Sequence, residues 1–271
     1  MKRESKSFES AFRGTYKYYV KHRPHIPKEV VDVIINHFKA KTTDRILDIG
    51  CGTGQVAMAM EGKCAEMVCL DPDPEMISQA KQATRNSKIK LVWINSSAES
   101  LGKIQEELGS FKVATTSRAF HRMDQDRVLK YFDKLIEKDG GVAAFSDGVI
   151  WKGDEAWQET LKKVIHKYLE KEERSGKVKT KVSEELWEDV IARSVFKFVK
   201  TQNVLDTRNW DIKGILGYVF STSVGALHLF GDQLEEFREE TKNALLSINP
   251  KGVFKENVVW RIVLGSREPC N

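Results

Sequence analysis

The sequence predicts an α/β fold: a mostly parallel sheet with helices on both faces. Three observations point there. Arg45–Gly54 reads RILDIGCGTG, an apolar run that stops in a glycine turn and opens a helical stretch. Met67–Leu70 is a second apolar run, and it ends in Asp71, seventeen residues after Gly54. Further short apolar or β-branched runs then alternate with amphipathic helical segments through Ser146, as strands do when helical crossovers pair them in parallel.

Length and composition bound the problem before any motif does. The 271 residues are enough for one large α/β domain carrying an insertion. Apolar content of 41% and charged content of 31% fit a soluble globular protein. No run of about 18 apolar residues occurs, so no spanning helix is expected. MKRESKSFES has basic residues without an apolar stretch behind them, unlike a secretory signal. Cysteines 51, 64, 69 and 270 lack metal-ligand spacing, and reduced thiols in the cytoplasm are the plain expectation. The net charge of +5 comes from basic residues interleaved with acids, which argues against a nucleic-acid-binding stripe.

In chain order, Phe8, Phe12, Tyr16, Tyr18 and Tyr19 crowd the start and lead into HRPHIP. Aromatic residues this dense predict a lid, residues 1–26, packed on the body. Pro27 starts a helix whose inward face is Val30, Val31, Ile34, Ile35 and Phe38. The first strand and the glycine turn follow, with Thr53 as the expected cap of a helix over Gln55–Met60. Asp48 falls near the end of that strand.

Glycines at 50, 52 and 54 would let a ligand approach bare backbone. A dinucleotide fingerprint would need glycine at 55, where Gln55 stands, and no Walker Gly-Lys-Ser/Thr occurs. A nucleotide-like ligand held without a pyrophosphate contact is what remains. Asp71, at the end of the second strand, has the position from which an acid accepts from both hydroxyls of a ribose.

Pro74–Thr84 reads as a helix with Met76, Ile77, Ala80 and Ala83 inward, and Ile89–Ile94 as the third strand. Met76 suits either the core or an adenine face. Val113–Thr116 is the fourth strand, and Ser117–Met123 leaves its carboxyl end, where open sheets bind ligands. Val128, Leu129, Phe132, Leu135 and Ile136 mark an amphipathic helix that Asp139-Gly140-Gly141 should end. Val142–Phe145 is the fifth strand.

From Trp151 to about Arg193 the sequence is charged and helical. A strand around Phe196–Val204, a helix over Leu234–Ile248 and a closing strand at Val258–Leu264 complete the chain. Residues 151–231 are expected to be an insertion capping the sheet within a single domain, 1–271.

LDIGCGTG, CLDPDPEMI, NSSAES and TTSRAFHRMD together resemble the class I S-adenosylmethionine-dependent methyltransferases. More narrowly they are similar to the small-molecule branch that includes trans-aconitate methyltransferase-like proteins. The resemblance covers roughly Phe8–Ser146 well. It implies a Rossmann-like, seven-stranded, mostly parallel sheet with a helical cap, and S-adenosylmethionine as cofactor. It also implies a cofactor site at Tyr19, Arg23, Asp48, Gly50, Gly52, Thr53, Gly54, Asp71, Pro72, Met76, Ser97, Ala98 and Ser117. Tyr19 and Arg23 would hold the methionine end. Ser97 stands where the family often has an Asp toward the adenine amino group, so that hydrogen bond is changed, whereas the Ala98 N–H is independent of side chain.

The branch usually reads A-F-H-W where this chain has Ala119-Phe120-His121-Arg122. His121 is the candidate catalytic residue, as base or orienting group. Arg118 and Arg122 are candidates for an acidic acceptor, and Trp151, Tyr218, Phe220 and His228 for pocket walls. The expected partner is a small-molecule methyl acceptor, with no nucleic acid, membrane or metal, for a monomer or homodimer. An RNA or protein acceptor, and a cofactor-binding protein without catalysis, are the rival readings.

Overall fold

The structure is a computed structural model and describes residues 14–174 and 185–269, with the backbone alone for 170–174. Phe8, Phe12, Cys270 and the charged stretch 175–184 lie outside the described residues. Seven strands form one sheet in the order β3-β2-β1-β4-β5-β7-β6. They are β1 Arg45–Ile49, β2 Glu66–Asp71, β3 Lys90–Asn95, β4 Phe111–Ser117, β5 Ile136–Ser146, β6 Phe198–Asp211 and β7 Val253–Ser266. β1 to β5 pair in parallel, and β7 runs antiparallel to β5. This is the mostly parallel sheet that the sequence pattern predicts and the Rossmann-like one that the family resemblance implies.

The helices, in chain order, are α1 Tyr16–His22, α2 Lys28–Phe38, α3 Gln55–Ala59, α4 Pro74–Ala83, α5 Gln105–Leu108 and α6 Gln125–Leu135. After them come α7 Ala156–Arg174, α8 Trp187–Ala192, α9 Ile212–Phe220 and α10 Leu234–Ile248. Among the described residues, the stretch expected to be helical from Trp151 to Arg193 contains α7 and α8.

The chain divides into two compact units: residues 1–24, 148–181 and 205–258, and residues 25–147, 182–204 and 259–271. The second unit holds β1 to β5. Its core joins Leu47 and Ile49 of β1, Val68 and Leu70 of β2, Val142 and Ala144 of β5, and Val128, Leu129, Phe132 and Leu135 of α6. Val190 and Ile191 of α8 belong to the same cluster. Side chains alternate between faces along a strand, so Gly141, next to Val142, points to the opposite face. There it meets Phe38 of α2. Helices therefore cover both faces.

Gly140 and Gly141 have a different role from the one their sequence suggests. They do not end α6, which stops at Leu135; they form an irregular stretch of β5, where the register passes from Phe111↔Ile136 to Val113↔Gly141. A Cβ on Gly140 would lie 2.2 Å from the Lys112 carbonyl, and one on Gly141 2.2 Å from the Gly265 carbonyl. Close approach of neighbouring backbones requires glycine there.

The first unit has its own core of Ile150, Trp151, Trp157, Leu161, Tyr168, Tyr218, Phe220, Phe237 and Phe254, among others. α7 carries charge on one face and Trp157, Leu161, Val164, Ile165 and Leu169 on the buried one. α1 packs Tyr18 edge-on to Phe220 at 5.4 Å.

Candidate functional site

β1 stops at Ile49 and the chain turns through Gly50, Gly52 and Gly54, all with positive φ, into α3. The three glycines are not equivalent. A Cβ on Gly50 would come within 2.5 Å of the Ala119 Cβ, and one on Gly54 within 3.0 Å of Trp93 and 3.2 Å of Ala80. A Cβ on Gly52 would meet nothing within 4 Å. Gly50 and Gly54 are glycine because protein packs on them, whereas Gly52 is the turn's open face.

The expectation of bare amides along this turn is corrected by the hydrogen bonds. The Gly50 and Cys51 amides both donate to the Leu70 carbonyl, at 2.8 and 3.0 Å, and Gly54 donates to the Cys51 carbonyl at 2.9 Å. The Gly52 amide donates to Oδ2 of Asp71 at 2.8 Å. The turn spends these donors on tying itself to the end of β2, and it offers space rather than donors. Thr53 is not the helix cap either. Gly54, at φ 79, takes the N-cap position with no side-chain bond, and the Thr53 hydroxyl is buried without a partner.

Asp71 is 7% exposed and sits where the sequence predicts, facing the turn. Its Oδ1 accepts from the Asp73 amide at 2.9 Å. Each oxygen therefore has one protein donor and keeps a second lone pair, which fits a pair of ligand hydroxyls at the open face of Gly52. Burial pushes Asp71 up to about 6, against the pull of its two amide bonds. Asp73 in turn caps α4, accepting from the Glu75 and Met76 amides.

Asp48 is fully buried on β1, opposite Thr115 of β4. The Thr115 hydroxyl donates to its Oδ1 at 2.9 Å, while Oδ2 has no partner. Burial pushes this carboxyl up to about 7, with the Thr115 bond opposing and the charge of Asp71 adding to the rise. Ser117, the last residue of β4, likewise has a buried hydroxyl without a partner. Three orphaned polar atoms on Asp48, Thr53 and Ser117, beside a turn with one open face, are what a polar ligand would satisfy. Those residues fit a small polar cofactor.

The remaining expected cofactor residues are placed as follows. Pro72 is half-buried directly after Asp71, and Met76 is buried on α4. The Ser97 hydroxyl lies 3.1 Å from that of Ser100, and Ala98 is buried behind it. Tyr19 and Arg23 belong to the first unit. There the Arg23 guanidinium lies over the Tyr19 and Tyr218 rings and donates to the Ser221 and Tyr218 hydroxyls, at 2.8 and 3.0 Å.

Past β4, Phe120–Arg122 is a 3-10 turn anchored by fully buried Phe120. His121 is half-buried, with its ring parallel to that of Trp187 at 6.4 Å. Trp187, which also packs edge-on to Phe120 at 5.9 Å, was not picked out from sequence. It lies 66 positions from His121 in a charged stretch, where periodicity alone does not single out an aromatic.

Two sets of expected substrate residues are engaged within the protein itself. Arg118 donates its Nε and Nη2 to Asp147 and its Nη1 to Gln55. Tyr218 and Trp151 are 2% and 8% exposed, packed edge-to-face as core of the first unit, and Phe220 is buried beside them. Arg122 is half-buried and His228 exposed.

Comparison with known proteins shows what this geometry is similar to. Residues 46–140 match a family model described as a methyltransferase domain. A Saccharomyces cerevisiae protein named "Probable S-adenosylmethionine-dependent methyltransferase" is 30% identical over 141 residues, covering 51% of this chain and 45% of its own length. The chain spans about half the length, or less, of the curated relatives it matches.

Among solved structures, one from Anaeromyxobacter dehalogenans, assigned as a type II methyltransferase, shares the fold at a TM-score of 0.60. It is 18% identical, over 90% of this chain and 97% of that one. An S-adenosylmethionine-dependent methyltransferase from Thiobacillus denitrificans, solved with S-adenosyl-L-homocysteine, shares it at 0.51 and 14% identity, over 93% and 96%. That domain match spans the glycine turn, Asp71 and the β4 exit, so residues 46–140 are similar to a methyltransferase domain, and the sheet shares the fold of these solved methyltransferases.

Proposed function

We propose that this chain is an enzyme that moves a methyl group from S-adenosylmethionine to an oxygen or nitrogen of a small metabolite, with carboxylate-bearing acceptors the first class to test. One observation carries the proposal: the Asp71 carboxylate, with spare lone pairs, stands 2.8 Å from the amide of the one turn glycine that faces open space. The cofactor, when bound, supplies an activated methyl group on a sulfonium, so no protein nucleophile is needed.

The protein's part is to bind, orient and exclude water. Asp71 accepts from the two ribose hydroxyls, and the turn at Gly52 leaves room for the sugar. Pro72, Met76, Ser97 and Ala98 border the base. Asp48, Thr53 and Ser117 offer their unpartnered oxygens to polar groups of the ligand. Tyr19 and Arg23 are assigned to its methionine end on the family resemblance. His121 meets the acceptor, and an imidazole nitrogen takes the proton when the acceptor is a hydroxyl or amine; a carboxylate acceptor needs no base. Buried, unoxidised Cys51, Cys64 and Cys69 suit a cytoplasmic setting.

Calorimetry with S-adenosylhomocysteine tests cofactor binding. Asp71→Ala should weaken it about 100-fold, from two lost hydrogen bonds to a charged acceptor at about 1.5 kcal/mol each. A methyl-labelled cofactor incubated separately with metabolite extract and with total RNA then identifies the acceptor class. His121→Ala should lower labelling and leave S-adenosylhomocysteine affinity nearly intact. A wild-type chain that binds no S-adenosylhomocysteine overturns the proposal, and label entering RNA replaces the acceptor class. Binding without transfer across both extracts would mark a non-catalytic protein.

A further inference from the structure

Arg118 is the first residue past β4 and stands in the left-handed region at φ 57, a conformation that costs a residue with a side chain about 1–2 kcal/mol. Its side chain is 7% exposed and that of Asp147 is 1%. Nε and Nη2 donate to the two Asp147 oxygens at 2.5 and 2.7 Å, just beyond β5. Nη1 donates to Oε1 of Gln55 at 2.8 Å, and Gln55 is the first residue of α3, directly after the glycine turn. The guanidinium also lies over the Trp260 ring of β7 at 4.8 Å. One planar cation thus joins the exits of β4 and β5 to the start of α3.

The next residue, Ala119, closes the other end of the turn, since its Cβ fills the space a side chain on Gly50 would need. The segment bearing His121 therefore grips the turn at both Gly50 and Gln55. A buried ion pair is a poor device for stability alone, because apolar residues of similar volume often do as well. A bidentate fork, however, fixes direction as well as distance.

We propose that Arg118 is a positioning residue that couples the cofactor turn to the acceptor-side loop: through Gln55 and Asp147 it holds the start of α3 and the His121 turn in one geometry. The proposal rests on the methyltransferase reading above. It makes cofactor affinity depend on an arginine that touches no cofactor, 64 positions from the turn.

The test is S-adenosylhomocysteine affinity by calorimetry on the full chain, with a melting curve for each variant to show that it is folded at the temperature used. Gln55→Glu keeps the acceptor oxygen and should bind within about 3-fold of wild type. Gln55→Met keeps the volume, loses the acceptor and should bind about 10-fold more weakly. Asp147→Asn should weaken binding similarly. The double variant should be no weaker than its worse parent, since both changes act through Arg118.

Folded variants that bind like wild type, or single effects that multiply in the double variant, overturn the proposal. If Asp147→Asn does not fold, the Glu and Met variants of Gln55 decide it by themselves. A wild-type chain without S-adenosylhomocysteine binding overturns the functional reading, and this one with it.

Discussion

Asp48 and Asp71 keep their protons at pH values where most aspartates have lost them. Burial is the largest cause for both, and it pushes them up to about 7 and about 6. A group that holds its proton more tightly in the folded state than in the unfolded one adds stability at low pH and loses it as pH rises. From about pH 4 upward both acids should therefore make the ligand-free protein less stable as pH rises, Asp71 up to about pH 6 and Asp48 up to about pH 7. Other carboxyls, such as exposed Asp126 and half-buried Glu66, are held low by arginine or lysine partners, so their charge does not change between pH 5 and 8. Asp48→Asn should melt higher than wild type at pH 8, by on the order of a few kcal/mol of unfolding free energy, and the gap should close only as pH falls to about 4. Melting curves at both pH values check this; a wild type whose stability rises toward pH 8 would contradict it.

At the scale of one element, the glycine turn separates two demands that the motif runs together. Gly50 and Gly54 answer to packing against Ala119, Trp93 and Ala80, while Gly52 answers to the open face. Gly52→Ala carries left-handed strain of about 1–2 kcal/mol without a clash. It should fold, yet its methyl group would stand in the space assigned to the ligand. Gly50→Ala adds a 2.5 Å clash to similar strain, for a total of about 3 kcal/mol. Urea unfolding should rank Gly50→Ala as the less stable of the two. S-adenosylhomocysteine titration should show lost binding in Gly52→Ala even though that variant is the better folded.

For the whole molecule, two compact units each bury their own aromatic core. Phe132 belongs to the buried cluster of the second unit that includes residues of β1, β4 and β5, and Phe237 lies in the first beside Phe220 and Tyr168. Phe132→Ala or Phe237→Ala should cost about 3–5 kcal/mol, read as a lowered urea midpoint at unchanged pH. A smaller loss at Phe132 would mean that α6 can move in to fill the gap.

Much of this protein is local, and what is local is legible in the sequence. β1, β2 and their turn were readable because an apolar run, three glycines and a terminal acid occupy adjacent positions, and α6 because its buried face repeats every three to four residues. Asp71 was legible for the same reason, as the end of a strand whose neighbour is the next strand in the chain. Tertiary structure decided whatever depends on partners distant in sequence. Arg118 looks like a surface cation until Asp147 and Gln55 close around it. Gly140 and Gly141 look like a helix stop until the Lys112 and Gly265 backbones press on them. Thr53 looks like a cap until Gly54 takes the turn, and Trp187 gains meaning from the His121 ring beside it. Burial and hydrogen-bond partnership belong to pairs of residues, and a pair 30 or 70 positions apart leaves no periodic mark on either one.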